Sequence, residues 1–96
     1  MTAGGNAVDA AIAANAVLGV VAPDTCGLGG DLFALVHQPG LPAPMALNAS
    51  GPAGSGAIAA ELRDRGLDEV PLRSAWSVTV PGCVDGWEAL LEEYGT

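Results

Sequence analysis

Gly4-Gly5-Asn6-Ala7-Val8-Asp9-Ala10-Ala11-Ile12-Ala13-Ala14-Asn15-Ala16-Val17-Leu18-Gly19 decides how the rest of the chain must be read. Two glycines break the chain, Asn6 is a good N-cap, and Asp9 three positions on can complete a capping box. The pattern predicts a helix over 7–18, with Gly19 as its C′ residue. Val8, Ile12, Ala16, Val17 and Leu18 leave nearly every face of that helix apolar, and such a helix must be covered on several sides. A chain of 96 residues and 9.5 kDa offers little cover. It is at most one small domain, or a piece of a larger one.

Working outward, Val20-Val21-Ala22-Pro23 leads into a loop that ends in Cys26-Gly27-Leu28-Gly29-Gly30. Leu32-Phe33-Ala34-Leu35-Val36-His37 is an apolar run bounded by turn residues, as expected of a sheet-core strand. Gln38-Pro39-Gly40 turns the chain, and Met45-Ala46-Leu47-Asn48 returns as an antiparallel partner. Ser55 can cap a second helix over 56–65, stopped by Gly66, which would bury Ile58 and Leu62 and pair Glu61 with Arg65. Ser77-Val78-Thr79-Val80 reads as a short strand ended by Pro81-Gly82. A last helix follows, with Val84, Trp87, Leu90, Leu91 and Tyr94 on its apolar side and Asp85, Glu88, Glu92 and Glu93 facing away. The expected order is helix–strand–strand–helix–strand–helix, a mixed α/β (α+β) chain.

Composition narrows the function classes. Half the residues are apolar, which excludes a disordered polar tail. Only 4% are aromatic, and 14 Gly and 7 Pro thin the core further. Three basic residues against eleven acidic ones give a net charge of −8. Such a chain cannot neutralise a phosphate backbone, so nucleic acid and anionic membrane surfaces are poor partners. No segment reaches the ~18–20 consecutive apolar residues of a membrane span. No basic residue precedes the first apolar run, so it does not read as a secretory signal. The compartment stays open, with the cytoplasm slightly favoured.

Candidate chemistry is sparse. Gly27-Leu28-Gly29-Gly30 has a phosphate-loop look, but it follows a helix and precedes a strand, the reverse of a dinucleotide fingerprint. A tight turn entering the strand is the better reading. Cys26 and Cys83 alone cannot make a four-ligand zinc site, and no metal or cofactor is expected. His37 stands at a strand end, where a solvated histidine is the ordinary outcome, and no spacing favours a Cys26–His37 dyad. Removal of Met1 would expose Thr2, a known nucleophile type, yet no neighbouring base accompanies it. Trp87 reads as core, and Trp76 is uncommitted.

Taken together, the segments resemble the gamma-glutamyltranspeptidase family of N-terminal-nucleophile hydrolases. Gly4-Gly5-Asn6-Ala7-Val8-Asp9-Ala10-Ala11-Ile12-Ala13-Ala14 is similar to the family's first helix signature. Gly19-Val20-Val21-Ala22-Pro23, followed by Cys26-Gly27-Leu28-Gly29-Gly30-Asp31-Leu32-Phe33, is similar to its glycine loop and strand. Ser77-Val78-Thr79-Val80-Pro81-Gly82-Cys83-Val84-Asp85-Gly86-Trp87, then Glu93-Tyr94-Gly95, is similar to its next landmark. Three signatures in order span nearly the whole chain.

The resemblance implies a four-layer αββα sandwich, made as a proenzyme that cleaves itself into a large and a small subunit. The small subunit's new N-terminal threonine attacks a γ-glutamyl amide such as glutathione, and the acyl-enzyme passes to water or an amine. Residues 1–96 would be the N-terminal part of the large subunit, an incomplete domain whose partner is the rest of its own chain. It would lack the nucleophile, so no catalytic residue is expected here, and Thr2 does not match the nucleophile motif.

One departure stands out. The family's second strand ends in an Asp-Phe-Arg-Glu-Thr-Ala-Pro-like motif whose arginine grips the donor's α-carboxylate. Here the stretch is Ala46-Leu47-Asn48-Ala49-Ser50-Gly51-Pro52, with Asn48, the substrate-binding candidate, in place of the arginine. A neutral amide cannot replace a bidentate guanidinium clamp, and Arg73 is the cation left to consider. The Leu-Asn-Ala-Ser-Gly pattern is similar to a divergent branch that includes oxamate amidohydrolase-like enzymes. Two alternatives therefore stand beside γ-glutamyl transfer: a small-amide amidohydrolase, and a non-catalytic acidic binding module.

Overall fold

A computed structural model describes residues 2–96. Its elements are α1 (Ala7–Val21), β1 (Leu32–Val36), β2 (Met45–Ala49), α2 (Ala59–Asp64), a single 3-10 turn (Ala75–Ser77) and α3 (Cys83–Tyr94). The expected mixture and order of helices and strands are present. The fifth element is reduced: 77–80 forms no ladder, and Thr79 makes one isolated antiparallel bridge to Ala53. Pro81 and the 3-10 turn bound this segment too closely for a second ladder pair.

The start of α1 is built as its sequence requires. Asn6 Oδ1 accepts from the backbone N–H groups of Val8 (2.8 Å) and Asp9 (3.2 Å), and Asp9 Oδ2 accepts from Asn6 N–H (2.7 Å). The far end differs from expectation. The helix runs through Gly19 to Val21 and stops at Ala22, which has left the helical region with φ −138° and ψ 59°. Pro23 is the reason, because the residue before a proline is driven out of the helical region.

β1 and β2 pair antiparallel, with Leu32 opposite Ala49, Phe33 opposite Asn48 and Val36 opposite Met45. Leu32, Ala34, Val36, Leu47 and Ala49 turn their half-buried side chains toward α3. Phe33 and Leu35 lie on the other face, 66% and 77% exposed. The hairpin therefore has one covered face and one bare apolar face.

α3 packs on both α1 and the hairpin. Its inward line is Cys83, Gly86 and Leu90, with Trp87 and Tyr94 half-buried. Val84 and Leu91, expected inside, are exposed, so the buried stripe is rotated from the expected one. Gly86 explains the rotation. A β-carbon there would sit 2.7 Å from Ala49 Cβ and 2.8 Å from Leu32 Cδ2, so the bare glycine lets the helix backbone lie directly on the hairpin.

α2 is shorter than expected, with Ile58 rather than Ser55 at its N-cap. Leu62 is buried as expected, but Ile58 is 48% exposed. Gly66 does stop the helix: its N–H donates to Arg63 O (2.8 Å), and Leu67 N–H donates to Leu62 O (3.0 Å), the paired bonds of a Schellman ending. Arg65 lies over the Trp76 ring, 5.6 Å from its centroid. That contact gives the uncommitted tryptophan a place.

The core is thin. Leu62, Cys83 and Leu90 are the buried apolar residues among those described. The radius of gyration is 17.0 Å and the extents are 54 × 34 × 17 Å, against about 13 Å for a compact domain of roughly 100 residues. One helical layer rests on one sheet face. No helix among the described residues is long and apolar enough to cross a membrane.

Candidate functional site

The end of β2 and the start of α3 are drawn together by backbone bonds. Val80 N–H donates to Pro52 O (2.9 Å), and Gly30 O accepts from both Gly82 N–H (3.2 Å) and Cys83 N–H (3.0 Å). The Gly30 carbonyl thus occupies donors left open at the N-terminus of α3. Gly30 N–H in turn donates to Gly27 O (3.1 Å). The glycine loop is therefore the tight turn into β1, and its last carbonyl anchors the next helix. Thr79 Oγ1 donates to Asp31 Oδ1 at 2.9 Å, which ties the 77–80 segment to the same loop.

These ties leave an open cleft lined by Asn48, Ser50, Gly51, Val80, Gly82 and Asp85, among others. Gly51 is required at its position, since any side chain would run into the carbonyl of Val80. Asn48 is exposed, and its Oδ1 accepts from Ser50 N–H at 2.9 Å. That Asx turn fixes the amide at the end of the strand. Its Nδ2 makes no hydrogen bond among the described residues and is available as a donor. Asp85 is the one ionisable side chain among those lining the cleft. The cleft can donate neutral hydrogen bonds from the Asn48 amide and the Ser50 hydroxyl and presents a carboxylate beside them. Arg73 is exposed and is not among the lining residues.

The remaining candidates are dispersed. His37 is exposed just past β1 and borders an apolar groove with Asn6 and Val8, at the N-terminal end of α1. Cys26 stands beyond the other end of α1, beside Gly27, which packs on Gly19. Fifteen helical residues span about 22 Å, so no Cys26–His37 dyad is assembled. Thr2 is exposed in the turn before α1 and takes no part in the cleft. Met1, whose removal would expose Thr2 as the N-terminus, lies outside the described residues.

Sequence reasoning passed over Asn15, and over the second, long-range bonds of the capping residues Asn6 and Asp9. Asn15 Oδ1 accepts the Trp87 indole N–H at 3.0 Å and meets the Cys83 thiol at 3.9 Å. Asn6 Nδ2 donates to Tyr94 O, and Asp9 accepts from the Thr96 hydroxyl at 2.8 Å. The Asn6 backbone N–H, followed by the Thr96 hydroxyl, holds the Asp9 carboxyl below the usual carboxylate range. The available signal was a lone asparagine inside an apolar helix, which needs a polar partner once covered.

The model of the gamma-glutamyltranspeptidase family matches residues 1–96. The chain is 46% identical over 95 residues to the glutathione hydrolase-like YwrD proenzyme of Bacillus subtilis, covering 96% of this chain and 17% of that protein. It is 44% identical over 89 residues to the oxamate amidohydrolase proenzyme of Klebsiella pneumoniae, covering 91% of this chain and 16% of that protein. Helicobacter pylori gamma-glutamyltranspeptidase superposes with a TM-score of 0.83 at 36% identity, covering 99% of this chain and 28% of that one. The chain thus spans about a sixth of the length of these curated relatives. With the family model matched end to end and the helix–hairpin–helix frame shared with a solved member, this chain belongs to the gamma-glutamyltranspeptidase family.

Proposed function

We propose that the whole protein is a proenzyme that cleaves itself into two subunits and then cleaves a γ-glutamyl amide such as glutathione. The match of the family model over residues 1–96 carries this reading. The hydroxyl oxygen of the small subunit's N-terminal threonine bonds to the amide carbonyl carbon, and the threonine's own amine takes the hydroxyl proton. The carbon–nitrogen bond breaks and the leaving amine departs with that proton. Water or an acceptor amine then attacks the acyl-enzyme and restores the hydroxyl. Residues 1–96 act in this scheme as the N-terminal part of the large subunit, and its partner is the remainder of the same chain. They supply the helix–hairpin frame and the Asn48 cleft, and alone they are catalytically silent.

The Asn48 cleft favours a second reading. A γ-glutamyl donor carries an α-carboxylate, and the cleft offers it only neutral side-chain donors, the Asn48 amide and the Ser50 hydroxyl, beside the Asp85 carboxylate. A small amide such as oxamate, whose carboxylate is bonded directly to the amide carbonyl and does not extend to the place of the missing guanidinium clamp, fits that chemistry better. The two readings separate in one experiment on the full-length, matured protein: kcat/KM for γ-glutamyl p-nitroanilide against ammonia release from oxamate. Preference for the γ-glutamyl donor supports the first reading, and robust ammonia release without γ-glutamyl turnover replaces it with the second.

A further inference from the structure

Cys26 and Cys83 stand far apart in sequence, yet the fold brings their surroundings into one wedge between α1, the glycine loop and α3. Cys83 opens α3, is 3% exposed, and touches Asn15 of α1 through its sulfur at 3.9 Å. Gly19 lies one turn further along the same face of α1. A β-carbon on Gly19 would be 3.7 Å from the Cα of Gly27, the residue next to Cys26. The same loop reaches the backbone of Cys83 through Gly30 O. Both thiols are free, and Cys26 is half-buried.

We propose that Cys26 and Cys83 form a redox-sensitive pair that closes into a disulfide and staples the glycine loop to the start of α3. The oxidant is a low-molecular-weight disulfide such as oxidised glutathione. The more accessible Cys26 attacks it as the thiolate, forms a mixed disulfide and releases one glutathione thiolate. The Cys83 sulfur, on losing its proton, then attacks the Cys26 sulfur and displaces the second glutathione. Both cysteines are oxidised and the glutathione disulfide is reduced to two thiols. Burial, and then the neighbouring Cys26, push the Cys83 thiol up from its ordinary range. Cys83 is accordingly the resolving rather than the first-attacking group. Turn bonds close on either side of Cys26, Thr25 N–H to Ala22 O and Gly30 N–H to Gly27 O, while the Cys26 backbone itself makes none among the described residues; movement at this residue is what disulfide geometry requires.

The test uses the full-length protein, incubated folded with oxidised glutathione and digested without reduction. The expected product is a peptide pair joined through Cys26 and Cys83, absent after dithiothreitol and absent from protein oxidised in denaturant at equal thiol concentration. The melting temperature should rise on oxidation and return on reduction. Cys26→Ser, a change at a half-exposed loop position, should abolish the joined pair and leave Cys83 reduced. Stable glutathione on Cys26 with Cys83 still reduced would overturn the proposal. So would a failure of either cysteine to oxidise.

Discussion

The side-chain oxygen of Asn15 accepts the indole N–H of Trp87 at 3.0 Å, across the seam between α1 and α3. This bond sits at one end of an antiparallel helix pair. Asn6 closes the other end by donating to the carbonyl of Tyr94. Between these two polar ties the seam is built from small and apolar side chains, so the asparagines set the register of the pair.

Replacing Asn15 with alanine should therefore leave the Trp87 N–H without its partner. The expected cost in the full-length protein is about 1–3 kcal/mol, toward the lower end because Trp87 is only half-buried. Trp87→Phe should cost less, and the double variant should fall short of the sum of the singles. Urea unfolding of the four proteins measures this coupling. Strict additivity would show that the bond carries no stability.

Gly86→Ala probes the closest approach in the fold. The added β-carbon would meet Ala49 and Leu32 at 2.7 and 2.8 Å, forcing α3 off the hairpin. Overpacking of this kind costs about 1–3 kcal/mol. The gain in helix propensity from the same change, about 1 kcal/mol, should only partly offset it. A thermal melt showing equal or higher stability would contradict the packing described.

Asp9 gives a pH dependence with a defined sign. Its folded-state carboxyl is held below the ordinary carboxylate range by Asn6 N–H and then the Thr96 hydroxyl. The stabilisation is therefore present above the unfolded pKa and lost as pH falls through the folded one. Between neutral pH and about pH 4 the contribution should persist, and below that it should fade. Asp9→Asn should lower the melting temperature at neutral pH and shrink the difference from the parent in strong acid. A constant difference across the titration would exclude the carboxylate as the cause.

Much of this frame was legible because local chemistry settled it. Asn6 and Asp9 announced the helix start, and Leu32 to Val36 with Met45 to Asn48 announced the hairpin. Pro39-Gly40 marked the turn between them. Readings failed where a second signal, further along the chain or across the fold, overrode the first. Gly19 looked like a terminator, but Pro23 ends the helix. Val84 and Leu91 looked buried by spacing, yet Gly86 chose the inward line by admitting the hairpin. The same limit applies to the site. Asn48 was visible as a departure from the family motif, whereas Asp85 entered the cleft only through the connection at 80–82 that carries the chain into α3.

The bare faces predict how the isolated chain behaves. Phe33, Leu35 and Val20 are 66%, 77% and 79% exposed, and no described residue of α1 is fully buried. Exposed apolar area on this scale marks an interface or an aggregation site. The 96-residue chain alone should be molten or aggregated and should order with the rest of its protein. Sharp, dispersed amide signals with a cooperative melt from a soluble monomer would contradict this.

The most direct measurement follows p-nitroaniline release from γ-glutamyl p-nitroanilide by two samples, the full-length protein and the isolated 96 residues. Denaturing gels on the same samples report self-cleavage. The expected result is turnover that appears together with two subunit bands in the full-length sample, and none above background from the 96 residues. Turnover by the isolated chain, or by full-length protein that stays a single polypeptide, would contradict the proposed proenzyme mechanism.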